Sequence, residues 1–152
     1  MQLEKDSLGF LLADVSRLMR RAFQLRMDGN PLTHAQARAL VHIARHEGIR
    51  QVELADQLEV QPITLARLLD QLAEQGLVER RADPADRRAY RLFLAPDASG
   101  QLATLDQVAQ AVRAQALSDI SPEHAAVAQA VLRQMRANLA APPRRLTKDK
   151  QP

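Results

Sequence analysis

Gln61, Pro62, Ile63, Thr64 and Arg67 fall together at the head of a segment whose leucines recur at helical spacing. With residues 62–75 wound as an α-helix, Leu65, Leu68, Leu69 and Leu72 share one side and pack inward. Ile63, Arg67, Asp70 and Glu74 then lie near the opposite pole, with Thr64 beside them. The outward face therefore opens with an amide, a branched alkyl group, a hydroxyl and a guanidinium. Glutamine pairs with adenine, isoleucine or threonine meets a thymine methyl, and arginine grips guanine at two atoms. Taken alone, the same face is as well explained by a solvated helix with one stray isoleucine. A second cluster shifts that balance. Between positions 80 and 91 stand Arg80, Arg81, Arg87, Arg88 and Arg91 against Asp83 and Asp86, a local excess of positive charge. Exposed arginines contribute little through surface ion pairs, mostly below ~1 kcal/mol. Several cations on a protruding ribbon suit a narrow anionic groove. Arg87 and Arg88 are the expected contacts of that ribbon, and Asp86 and Arg80 the residues expected to stabilise it.

The elements that must carry these groups can be read from the pattern. Residues 7–28 form an amphipathic helix capped by Ser7, with Leu8, Leu11, Leu12, Val15, Leu18, Met19, Ala22 and Leu25 along one stripe. Gly29 or Asn30 suits its left-handed end. Thr33 caps a second helix to about His46, with Leu40, Ile43 and Ala44 inward. A third helix spans about 51–58, with Val52, Ala55 and Leu58 inward. A turn at Val60-Gln61 leads to the helix of 62–75, where Pro62 occupies the tolerated first position. Helix, tight turn and helix make a helix-turn-helix. Beyond Gly76 the period changes. Residues 77–95 read as a β-hairpin, with a turn cluster at 83–86 and a returning strand at Tyr90–Leu94. Two further helices follow, the last opening at Ser121-Pro122-Glu123 and running to about Leu139.

The stretch from Gln57 through Gln61-Pro62-Ile63-Thr64-Leu65-Ala66-Arg67 to Gly76-Leu77-Val78-Glu79-Arg80 resembles the recognition half of the MarR/SlyA family. The resemblance continues through Asp83-Pro84-Ala85-Asp86-Arg87-Arg88-Ala89, close to that family's wing signature, and its helix order extends it over about residues 7–139. One step departs from the family pattern: Leu94-Ala95-Pro96-Asp97-Ala98 stands where Leu-Thr-x-x-Gly is common. The resemblance implies a mainly α fold with a small β-hairpin wing, a winged helix-turn-helix with N- and C-terminal dimerisation helices. It implies a homodimer that binds double-stranded DNA, usually as a repressor released by small anionic aromatic effectors. Gln61, Pro62, Thr64 and Arg67 are then the base-reading positions, Arg88 enters the minor groove, and Asp86 holds the wing. The expected organisation is a domain of 1–139, with dimerisation helices in 7–32 and 97–139 and the winged helix-turn-helix in 33–95. Residues 140–152, rich in Pro, Lys and Arg, are expected to form a disordered basic tail.

The apolar stripes of 8–25 and 127–135 exceed what one small winged helix covers, which independently calls for a dimer. Arg17, Arg20, Arg21 and Arg38 gather cations near the junction of the first two helices. Arg17, Arg21 and Arg38 are the expected contacts of an anionic effector, with pairing to Asp14 and Glu47 as the plainer reading. His42 and His46, four apart, are two potential metal ligands without a third, so no metal and no cofactor is expected. A metal-responsive regulator of the same fold, or a winged helix that contacts only proteins, are the alternatives. The chain of 152 residues has five glycines, no cysteine and 3% aromatics. No glycine-rich phosphate loop and no serine in a strand–turn–helix elbow is present, which argues against an enzyme. No apolar run approaches the ~20 residues of a membrane span, so a cytoplasmic location is expected.

Overall fold

The computed structural model describes residues 6–141. In chain order the elements are α1 (Leu8–Arg26), α2 (His34–Arg45), β1 (Ile49–Arg50), α3 (Gln51–Leu58), α4 (Pro62–Glu74), β2 (Val78–Asp83), β3 (Asp86–Leu94), α5 (Ala98–Ala116) and α6 (Pro122–Ala140). They fall into two compact units, the first ending at Arg113 and the second beginning at Ala114. The basic tail expected over 140–152 lies, from residue 142 onward, outside the described residues.

The first unit is built on leucine. Leu40 and Ile43 of α2, Leu54 and Leu58 of α3, Leu65, Leu69 and Leu72 of α4, Leu92 of β3 and Leu105 of α5 form one buried cluster. Each such side chain stabilises the fold by about 1.5–3 kcal/mol on burial. The leucine spacing that defined the inner side of 62–75 is thus the spacing that fixes α4 onto α2 and α3. A second tie is polar. Thr33 Oγ1 accepts the Gln36 N–H and Gln36 Oε1 accepts the Thr33 N–H, at 3.2 and 2.8 Å, closing a capping box on α2. The buried Gln36 then donates its amide to Gln71 Oε1 on α4, 3.0 Å away.

The turn between α3 and α4 is made by Glu59, held in the left-handed region at φ 55°, then Val60 and Gln61. Pro62 takes the first helical position, where a missing N–H costs nothing.

Several local expectations need correction. The hairpin is part of a three-stranded antiparallel sheet in the order β1-β3-β2. The two-residue β1 is too short to leave a periodic signal. It forms because Gly48, at φ 82°, turns the chain so that its N–H reaches the Leu92 carbonyl at 2.8 Å. The returning strand starts at Asp86 rather than Tyr90, leaving a turn of Pro84-Ala85 alone. Val52 is exposed and Leu54 is buried, because α3 starts directly from β1 and so turns Leu54, Ala55 and Leu58 inward. Ala44 is exposed beside the buried Ile43. Ser7 stands at the cap of α1, but its side chain makes no capping hydrogen bond.

The apolar stripe of α1 is uncovered in the single chain, with Leu8, Leu11, Val15 and Leu18 all exposed. In the second unit Ser121 Oγ accepts the His124 N–H at 3.2 Å and so starts α6. There Val127, Val131 and Leu132 are exposed as well.

Candidate nucleic-acid interface

Because the four leucines of α4 face inward, the first turn of the helix and its opposite side face outward. Gln61, Pro62, Ile63, Thr64 and Arg67 are all exposed, and Ile63 keeps 67% of its surface. Gln61 occupies the N-cap of α4 with a side chain that makes no capping bond, so its amide remains available. An isoleucine this exposed at the start of a helix is poorly solvated and suited to an apolar contact such as a thymine methyl.

The wing's arginines divide into two groups. Arg80 is turned back onto α4, where its Nη2 donates to the Ala66 carbonyl at 2.9 Å and to Asp70 Oδ1 at 2.7 Å. Arg81 pairs with Glu79 at 2.9 Å and lies over the Phe93 ring at 4.2 Å. Arg50 and Arg91 both approach Asp83, at 2.7 and 3.2 Å. By contrast, Arg67, Arg87 and Arg88 are exposed and, among the described residues, have no anionic partner. Asp86 turns its carboxylate inward on the loop, Oδ1 accepting the Arg88 backbone N–H at 3.0 Å. Arg80 thus sits between recognition helix and ribbon, and Asp86 inside the ribbon's end. Among the described residues every cationic side chain other than histidine is arginine; the lysines are Lys5, Lys148 and Lys150.

In the sequence Asp83 and Arg91 are only members of the charged cluster of 80–91, and nothing there joins them to Arg50. The Asp83 side chain is fully buried. The Ala85 N–H that it accepts at 3.0 Å, and then the two guanidinium groups, hold its carboxyl below the usual carboxylate range against the opposing effect of burial. Arg91 also donates to the Gly48 carbonyl at 3.2 Å.

A cavity of about 490 Å³ opens between α1, α2 and α5. Phe23, Val41, Leu102, Leu105 and Val112 give it apolar walls, and Arg20, Arg38, Arg45 and Asp106 line it as charges. His34 also borders it. Its Nδ1 is buried without a hydrogen-bond partner, and its ring meets the Phe23 ring edge-on at 5.9 Å. Burial, then Arg38 and Arg20, lower its pKa. Burial is also the main cause lowering His42, whose Nδ1 lies 3.4 Å from Gln57 Oε1. Of the three arginines expected at an effector site, only Arg38 borders this cavity. Arg17 pairs with Asp14 at 3.1 Å on the exposed helix, and Arg21 is exposed outside the lining. His42 and His46 gain no third ligand: among the described residues no three His, Cys, Asp or Glu side chains group as a metal site. No described helix is long and apolar enough to cross a membrane.

A buried helix-turn-helix with an exposed second-helix face, and a ribbon carrying unpaired arginines, define a winged-helix protein of the transcription-regulator class. Comparison with known proteins gives the same answer. Residues 32–90 match the model of the MarR family. The structure of the transcriptional regulator PA3341 is 40% identical, with a TM-score of 0.76, over 88% of this chain and 98% of that one. A MarR-family regulator from Silicibacter pomeroyi is 25% identical, with a TM-score of 0.79, over 93% and 99%. A MarR mutant from E. coli, solved in complex with operator DNA, is 26% identical, with a TM-score of 0.67, over 84% and 92%. The chain belongs to the MarR family of transcriptional regulators.

Proposed function

We propose that the protein is a cytoplasmic, sequence-specific DNA-binding repressor that grips a pseudo-palindromic operator as a homodimer. The observation that carries this reading is the sorting of charge on one face. Arg50, Arg80, Arg81 and Arg91 are all engaged within the fold, whereas Arg67, Arg87 and Arg88 are exposed and unpaired beside Gln61–Thr64. Arg67, with Gln61, Pro62, Ile63 and Thr64, reads bases in the major groove, and Arg87 and Arg88 meet the electronegative minor groove. A second copy covers the apolar stripes of 7–32 and 97–139, setting the two reading helices ~34 Å apart. The test is binding to DNA from upstream of the protein's own gene, followed across salt concentrations. Arg67→Ala should relax preference at one position per half-site, costing about 1–3 kcal/mol, while Arg88→Ala should flatten the salt slope. Salt-independent binding, or none, would leave a winged helix that contacts only proteins.

Release by an organic anion is the second part of the reading, supported by the cavity. Its apolar walls, its three arginines against one aspartate and the unpartnered His34 Nδ1 suit a carboxylate on an apolar body. A ligand that favours a half-site spacing mismatched to DNA by ~1.4 kcal/mol lowers affinity tenfold. Salicylate titrated into the DNA complex at constant ionic strength tests this. If neither salicylate nor Arg38→Ala changes DNA affinity, effector control falls.

A further inference from the structure

The far end of the wing does not follow the pairing of the rest of it. Partners run regularly from Val78–Leu94 to Ala82–Tyr90 and then jump to Asp83–Asp86. Arg87, Arg88 and Ala89 are therefore left without partners across the ribbon. A slip of this kind sacrifices ladder hydrogen bonds in an exposed segment, where nothing apolar pins the register. The restraint is visible next to it. Asp83, the last residue of β2, sends a fully buried carboxylate across the middle strand β3 toward the opposite edge. Its Oδ2 accepts a hydrogen bond from Arg50 Nε of β1 at 2.7 Å and forms an ion pair with Arg91 Nε of β3 at 3.2 Å, without hydrogen-bond alignment. Its Oδ1 accepts the Ala85 N–H, which closes the turn. A charge is kept buried only where its partners hold it firmly, and here both partners lie outside the strand that carries it.

We propose that Asp83 is the positioning residue of the wing: clamped by Arg50 and Arg91, it folds the ribbon's end back onto the sheet and so presents Arg87 and Arg88 as an ordered pair. Asp83 touches no DNA itself. The inference rests on the reading that the wing meets DNA. With the end clamped, the two arginines need not be ordered at the moment of binding. Without the clamp, the ribbon can return to regular pairing, in which Arg87 and Arg88 take other directions.

The experiment is a double-mutant cycle on the full chain, with the upstream DNA fragment as probe and affinity read by fluorescence anisotropy at low and high salt. Asp83→Asn should weaken binding about tenfold and flatten the salt slope as Arg88→Ala does. In an R87A/R88A background the same D83N change should cost less than about twofold, because the groups it positions are gone. Should D83N fail to fold, Arg50→Met removes half of the clamp from a partly exposed position. It should weaken binding about threefold, with Arg50→Lys recovering part of the loss. Wild-type binding by D83N or R50M would overturn the proposal. So would a loss that persists undiminished in the R87A/R88A background, the mark of a purely structural role. If R87A/R88A itself binds as wild type, the wing does not meet DNA and both readings fall. If R87A/R88A is impaired and D83N is not, only the positioning role falls.

Discussion

Replacing Arg80 by alanine should separate recognition helix from ribbon. Its two hydrogen bonds to Ala66 and Asp70 are, among the described residues, the only side-chain hydrogen bonds from β2 or β3 to α4. They are unequal. The Ala66 carbonyl is partly shielded and receives a charged donor, a bond of about 1.5–3 kcal/mol, of which the lower end applies to a guanidinium 28% exposed. Asp70 is 58% exposed, so that pair adds only ~0–1 kcal/mol after screening. Arg80→Ala should therefore cost about 2 kcal/mol and Asp70→Ala less than about 1 kcal/mol. For a chain of this size the first value corresponds to a melting shift of roughly 4–8 °C. Melts must be compared at one protein concentration, because the stability of the proposed dimer would depend on it. DNA affinity, measured well below the melting range, should fall for Arg80→Ala and hold for Asp70→Ala, since only the former frees the ribbon from the helix. Equal effects of the two substitutions, or a wild-type melt for Arg80→Ala, would refute the reasoning.

Glu59→Gly should raise stability by about 1 kcal/mol in thermal melts, because the left-handed φ of 55° strains any residue with a Cβ. Stability should decline as pH falls below 6.5, the ordinary histidine value, because His34 and His42 are held below it and the unfolded chain takes up protons first. His34→Gln with His42→Gln should flatten that limb of a denaturation-versus-pH curve. Asp83, held low, stabilises above its unfolded pKa, and that contribution is lost only as pH falls through its depressed folded value; D83N should erase this lower limb alone. Leu18→Glu, on the uncovered stripe of α1, should shift the protein toward monomer in light scattering and weaken operator binding with it.

The helices were legible because leucine spacing decides them. The inner face of α4 follows from it residue by residue, α3 keeps its expected span of 51–58, and Thr33 and Pro62 sit at the starts of their helices as their chemistry demands. What escaped depends on contacts distant in sequence. β1 exists only by pairing with β3, more than forty residues on, and two residues carry no period. Val52 looked like core because valine usually is, but the strand that feeds α3 sets the helix phase. Asp83 beside Pro84 has the composition of any turn, and only the arrival of Arg50 and Arg91 makes it a buried anchor. At the interface, the exposure of Gln61, Ile63 and Arg67 was readable from the wheel. Among the clustered arginines, Arg80 was expected to stabilise the ribbon, but the engagement of Arg81 and Arg91 within the fold was not readable.

The exclusive use of arginine has a consequence for how the charge of this surface can be altered. A lysine ammonium can be neutralised by acylation and loses its proton at alkaline pH; a guanidinium keeps its charge wherever the fold survives. Acetylation therefore has no target among the described residues of the helix-turn-helix and wing, and amine-directed labels leave them untouched. Among the described residues of the helix-turn-helix and wing, any response of DNA affinity to pH near neutrality must come from histidines or carboxylates, with the arginines as a constant background. Footprinting of Arg67, Arg87 and Arg88 by chemical modification accordingly calls for guanidinium-selective dicarbonyl reagents, whose adducts would report on these three exposed groups before the four engaged ones.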